Sequence, residues 1–264
     1  MSDKSEKEPP LHWLKAFLTS SVGRKFVVGL TGLFLCFFLV VHLAGNLLLY
    51  VGVDAYNEYA HKLHSNEELL IIAETLLFAA LIGHILIAAG LTFTNWRNAR
   101  NKSYRTFDSK REDRTTPMSF APDQTMMLTG LFVLIFLICH LSDFKFGLGW
   151  ENLGESYSPA QKALLVLENT WRQGIYLVGV LFLGYHVSHG LQSAFQSLGL
   201  NHPKYMPTIR RLSVLFGLVV AIGFGSFPIA GLVRSQTNPT SVEQVSPVEG
   251  GEAVDAETPH SPEH

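Results

Sequence analysis

Five histidines lie inside stretches apolar enough to sit in lipid: His42 in "FLVVHLAGN", His84 in "ALIGHILIAAG", His140 in "FVLIFLICHLSDF", and His186 and His189 in "LGYHVSHGLQSAF". An ionisable side chain in a membrane span costs a few kcal/mol unless it meets a partner, so by default it marks a functional site. Neutral imidazole is also the commonest metal-binding side chain. Two imidazoles facing one another from different helices supply what the iron of a bis-histidine haem needs in its axial positions. A hydrogen bond between helices is the plainer use of any single one. Depth separates these uses.

The elements that must position them are five long apolar runs, roughly 26–49, 69–95, 126–144, 172–195 and 212–233. Each is near the ~20 residues that cross a hydrocarbon core of ~30 Å. The first and third runs share one direction, and the second and fourth the other. At ~1.5 Å per residue, His42 and His140 lie roughly 21–24 Å from the inner edge, and His84 and His186 about 16 Å from it. Two depth-matched pairs result, as two b-type haems stacked across a helical bundle require. His189 shares the face of His186 approximately and is an alternative ligand, or a partner of the haem propionates closer to the cytoplasm. Gly83 and Gly184 adjoin these histidines, and Gly29, Gly32, Gly45, Gly130 and Gly179 lie elsewhere on the same runs. They suit the approach of a flat macrocycle or ordinary close helix packing.

The whole chain fits an all-α polytopic membrane protein. Its 264 residues are 47% hydrophobic and 16% charged, an apolar balance for a globular protein. Of 20 basic residues, 15 fall before the first run, between the second and third, or between the fourth and fifth. The positive-inside rule therefore predicts a cytoplasmic N-terminus and, after five spans, an outer C-terminus. The first run reads as a retained helix, having no small-residue cleavage site after it. Cys36 and Cys139 lie in apolar runs outside any CxxC or CxxCH pattern and read as buried structural thiols. Residues 1–15 form a polar N-terminal segment, with a short interfacial helix expected around "LHWLKAFL". Residues 16–235 form the membrane domain, and 236–264 an acidic tail expected to be disordered. Two outer connections exceed simple turns, and the second holds an expected helix at Pro159 to Glu168. No nucleic-acid partner is expected.

The segments "SVGRKFVVGLTGLFLCFFLVVHLAGNLLLY", "DAYNEYAHKL", "ICHLSDFKFG", "YHVSHGLQSAFQSLGLNHPKY" and "RRLSVLFGLVVAIGFGSFPI" together resemble the dihaem cytochrome b membrane-anchor subunit of bacterial succinate dehydrogenases and fumarate reductases. The resemblance runs over roughly 16–235, across all five spans in order. It implies a five-helix bundle in the bacterial cytoplasmic (inner) membrane. His84 and His186 would bind an inner, proximal haem b, and His42 and His140 an outer, distal one. It also implies an iron–sulfur subunit on the cytoplasmic side that holds an FAD-containing flavoprotein. Electrons would pass between that iron–sulfur subunit and membrane quinone, usually menaquinone. Succinate or fumarate chemistry belongs to the flavoprotein, and nothing in this chain resembles a dicarboxylate active site.

The family's quinone site lies near the distal haem, aided by an acid on or near the first outer connection. Quinone reduction takes up two protons, so a carboxylate or imidazole must stand within hydrogen-bond reach. Glu58, His61, His64, Glu68 and Glu74 are the candidates, with surface charge the plainer reading of each except Glu74, one turn inside the second span. Ser20, Ser21, Arg24 and Lys25 suit haem propionates, although the two cations also serve the positive-inside signal. Trp150, Trp171 and Arg172 are outer-side counterparts. Some family members carry a glutamate two positions before the fourth-span ligand, proposed to pass protons; Gly184 stands there, so the resemblance does not carry that route here. A proton-coupled transporter with a histidine relay is the main alternative, but no clear internal repeat is read and few acids fall in the spans. A haem b subunit of another respiratory complex fits the motif order less well.

Overall fold

A serine opens the first long helix. Ser20 accepts a hydrogen bond from the Gly23 amide at 2.9 Å while its own hydroxyl donates to the Phe17 carbonyl at 2.7 Å, so it caps one helix and closes another. The computed structural model describes residues 12–97, 122–148 and 157–237. Its elements are α1 (His12–Thr19), α2 (Ser21–Val51), α3 (Val53–His64), α4 (Glu67–Arg97), α5 (Pro122–Phe144), α6 (Pro159–Glu168), α7 (Thr170–Ser197) and α8 (Met206–Thr237). Among the described residues, five helices are long and apolar enough to cross a membrane: α2, α4, α5, α7 and α8. Each expected apolar run falls inside one of them.

Much large apolar surface faces outward, including Leu30, Phe37, Ile72, Leu86, Ile138 and Ile222. Lipid is the solvent that accepts such a surface. Between the helices small residues take over, as expected where lipid removes the usual hydrophobic drive to pack. A Cβ on Gly184 would come within 2.7 Å of the Gly217 carbonyl, and one on Gly217 within 2.5 Å of the Gly184 carbonyl. Gly184 is therefore the point where α7 meets α8, and a larger side chain there would push the two backbones apart. Gly29 likewise brings α2 onto α7, its added Cβ meeting Ala194 and Ser197 at 3.3 Å.

The short helices α3 and α6 lie between spans and pack on each other. Helix α6 occupies the range read from the sequence and begins with a full capping box, Ser158 and Gln161 exchanging hydrogen bonds. Asn57 of α3 accepts the Ala160 amide at 3.0 Å, satisfying another free donor of that first turn. The helicity of α3 was not read from the sequence, where the segment appeared only as a long connection. Its signal is the recurrence of Tyr56, Tyr59, Ala60 and Leu63, a helical spacing. Gly52, at φ 151, breaks the chain between α2 and α3. Gly45 then leaves room for the Tyr59 ring, whose hydroxyl would lie 2.6 Å from an added Cβ. The basic stretch 98–121, Trp150 and the tail from 238 lie outside the described residues, as do positions 1–11 of the N-terminal segment. The expected interfacial helix appears as α1.

Candidate functional site

The deeper-lying imidazoles are each held by the neighbouring helix. Thr31 on α2 places its hydroxyl oxygen 3.2 Å from His84 Nδ1 on α4. Thr129 on α5 does the same for His186 on α7, at 3.1 Å. In each case the following residue is glycine: an added Cβ on Gly32 would sit 3.3 Å from His84 Cε1, and one on Gly130 3.4 Å from His186 Cε1. The glycines are thus cradles for the imidazole rings. Gly83, beside His84 in sequence, has nothing within 4 Å of an added Cβ, so it does not form that cradle. His84 and His186 are within electrostatic reach of each other, and His186 also of His189. The His189 ring packs edge-on against Tyr185, centroids 4.6 Å apart.

The other two histidines meet directly. The His42 ring on α2 and the His140 ring on α5 are 5.8 Å apart between centroids and nearly perpendicular, at 82°. Aromatic rings surround them: Phe38 stacks on His42 at 5.1 Å and Phe224 lies 5.5 Å from it, while Phe136, Phe144 and Tyr176 lie 5.2–6.0 Å from His140. Asn46 Nδ2 donates to the His42 backbone carbonyl at 2.7 Å and lies 3.4 Å from its Nδ1. Nδ1 of His140 is buried with no hydrogen-bond partner.

The donor set of His42 and His140 fits haem. Metal–imidazole bonds of ~2.0–2.1 Å on opposite sides of one metal put ring centres roughly 6 Å apart, close to the 5.8 Å of His42 and His140. Among the described residues no three His, Cys, Asp or Glu side chains converge as a metal site. Paired imidazoles suit a metal whose remaining positions come from a macrocycle.

A polar cluster beside His140 was not singled out from the sequence. Asp143 is buried, its Oδ1 2.9 Å from Arg172 Nη2 and its Oδ2 accepting from the Tyr176 hydroxyl at 3.0 Å. The legible signals were the three-residue step from His140 to Asp143 and the four-residue step from Arg172 to Tyr176, spacings that share a helix face. Arg172, read as a possible haem partner, is thus committed to a carboxylate.

The candidates for proton transfer are scattered. Glu58 pairs with Lys62 on the same exposed face of α3 at 2.6 Å, and that neighbouring ammonium holds its carboxyl below the ordinary range. His61 and Glu68 are exposed, and His64 lies 2.7 Å from the Ala60 carbonyl through Nδ1. Glu74 pairs with Lys145 at 2.5 Å, joining α4 to the end of α5. Of the propionate candidates, Ser20 is occupied in capping, Arg24 is half-buried, and Ser21 and Lys25 are exposed. Trp171 is exposed at the start of α7.

No protein-family model matches the chain, and no solved structure matches it. A succinate dehydrogenase cytochrome b558 subunit from Bacillus subtilis (strain 168) is 26% identical over 189 residues, covering 70% of this chain and 82% of that relative. This similarity supports the resemblance to the cytochrome b anchor-subunit family.

Proposed function

We propose that this chain is the dihaem cytochrome b anchor of a succinate dehydrogenase or fumarate reductase, carrying electrons between an iron–sulfur subunit and membrane quinone, with menaquinone the quinone that the resemblance favours. The observation that carries the reading is the meeting of His42 and His140 from separate spans at 5.8 Å; His84 and His186, each held against a threonine of another helix, are the second pair of the reading. His84 and His186 hold the inner haem b, and His42 and His140 the outer one. Each bound haem supplies a one-electron carrier in the low-dielectric bundle.

The chain's own residues orient the imidazoles, exclude water and manage protons. Gly32 and Gly130 make room for the inner rings, and five aromatic rings keep the outer pair dry. Quinone reacts at the outer end, where protons are exchanged with water. Glu74, paired to Lys145 at the membrane edge, is the best placed of the acids read from the sequence. The asymmetry of basic residues favours a cytoplasmic N-terminus, the resemblance implies that the iron–sulfur subunit binds on that same side, and residues 16–235 are the membrane domain. The flavoprotein, reached through the iron–sulfur subunit, performs the dicarboxylate chemistry. Haem extraction from the purified complex tests the reading: two b-type haems per chain are expected, and a value near one or zero contradicts it.

A further inference from the structure

Helices α2 and α5 carry the same short sequence at the same register. Residues 30–43, "LTGLFLCFFLVVHL", and 128–141, "LTGLFVLIFLICHL", are identical at nine of fourteen positions. This is a short internal repeat confined to part of two spans, and it does not extend over whole helices as a transporter's repeat would. Its matched positions are those of the site: Thr31 with Thr129, Gly32 with Gly130, Phe38 with Phe136, and His42 with His140. The contacts repeat too. Thr31 reaches His84 and Thr129 reaches His186, at 3.2 and 3.1 Å, while Phe38 lies against His42 and Phe136 against His140.

Hydrogen bookkeeping at the two threonines assigns the imidazole tautomers. A threonine hydroxyl has one hydrogen. Thr31 Oγ1 lies 2.8 Å from the Val27 carbonyl, and Thr129 Oγ1 2.8 Å from that of Thr125. With the hydroxyl hydrogen directed to the helix's own carbonyl, the oxygen is left as an acceptor, and the group facing it must be an Nδ1–H donor. Nδ1 therefore carries the proton and Nε2 the lone pair.

We propose that Thr31 and Thr129 are a matched pair of positioning residues, each accepting Nδ1–H from the histidine opposite so that His84 and His186 both present Nε2 as the ligating nitrogen. This rests on the haem reading above. A hydrogen bond to the far ring nitrogen orients the ligand and raises its basicity, which favours the ferric form and lowers the potential of the inner haem. The repeat makes the two threonines equivalent, one for each axial ligand.

The test is an optical redox titration of membranes holding the full chain with its partner subunits, for the wild type, Thr31→Val, Thr31→Ser, Thr129→Val and Thr129→Ser. Each valine variant is expected to raise the midpoint potential of one haem, or to lose that haem, and to leave the other in place. Each serine variant is expected to restore the wild-type value, since it keeps the hydroxyl. Two haems with unmoved potentials in both valine variants overturn the proposal, as does a serine variant that behaves like its valine counterpart. Absence of any b-type band in the wild type is a different result; it overturns the haem reading itself, and this inference with it.

Discussion

The inner and outer histidine pairs have the same composition, yet different forces hold their rings. His84 and His186 are each fixed by a threonine hydroxyl and rest against a glycine of another helix. His42 and His140 are held chiefly by aromatic packing; only a longer contact, Asn46 Nδ2 at 3.4 Å, reaches Nδ1 of His42, and the Nδ1 of His140 has no partner. A hydrogen bond selects a ring nitrogen as well as a ring position, whereas stacking selects position alone. The inner pair is therefore defined in tautomer before any ligand arrives, and the outer pair chiefly in place. The outer pair also abuts a buried acid, through Tyr176 to Asp143, that has no equivalent among the described contacts of the inner one.

The largest expected separation between the two ends comes from Arg172→Ala. It leaves the fully buried Asp143 carboxylate without its guanidinium, and breaking a buried pair by deleting one partner costs about 3–5 kcal/mol. On heating, the outer haem should be released well before the inner one, as two steps in the b-type absorbance; simultaneous release contradicts a local role for the pair. Next in size, Gly32→Val forces methyl groups onto His84, where even the first added carbon would sit 3.3 Å from Cε1. Overpacking of this kind costs about 1–3 kcal/mol, and the inner haem alone should be lost or spectrally shifted.

Phe136→Leu should act the opposite way and more weakly. An aromatic contact contributes about 0.5–1.5 kcal/mol beyond area burial, so the outer haem should loosen while the inner keeps its spectrum. The smallest effect is expected for Glu58→Gln on α3. Its carboxyl titrates below the ordinary range because of Lys62, so the pair's contribution is present above the unfolded carboxyl pKa and fades as pH falls through the depressed one. The pair is exposed and screened, so both haems should be unchanged at neutral pH. A change in quinone reduction by that variant would show that the exposed acid takes part after all.

The meeting of His42 and His140 was legible in the sequence because a span is a ruler: apolar length sets the ends, and the rise per residue sets the height. Rotation about each helix axis was not, since all-round apolar helices carry no strong face. What sets rotation here are close approaches such as Gly29 to Ala194 and Gly184 to Gly217, and these depend on two segments far apart in the chain. For the same reason Thr31 and Thr129 passed unnoticed: a threonine in a membrane helix usually bonds its own carbonyl, and both do, so only the second contact reveals their part. Helix α6 was readable from Ser158, Pro159 and Gln161, whereas α3 was obscured by charges on its outer face. Gly83 adjoins His84 in sequence but faces away from it, a reminder that neighbours along a helix point about 100° apart.

The most direct test of the account is a reduced-minus-oxidised absorption spectrum of the detergent-extracted complex, recorded for the wild type, His84→Ala and His42→Ala. The account predicts a b-type band corresponding to about two haems per chain, with each substitution removing about one and leaving a spectrally distinct remainder. A correctly inserted wild type, assembled with its partners, that shows no haem band contradicts the central claim.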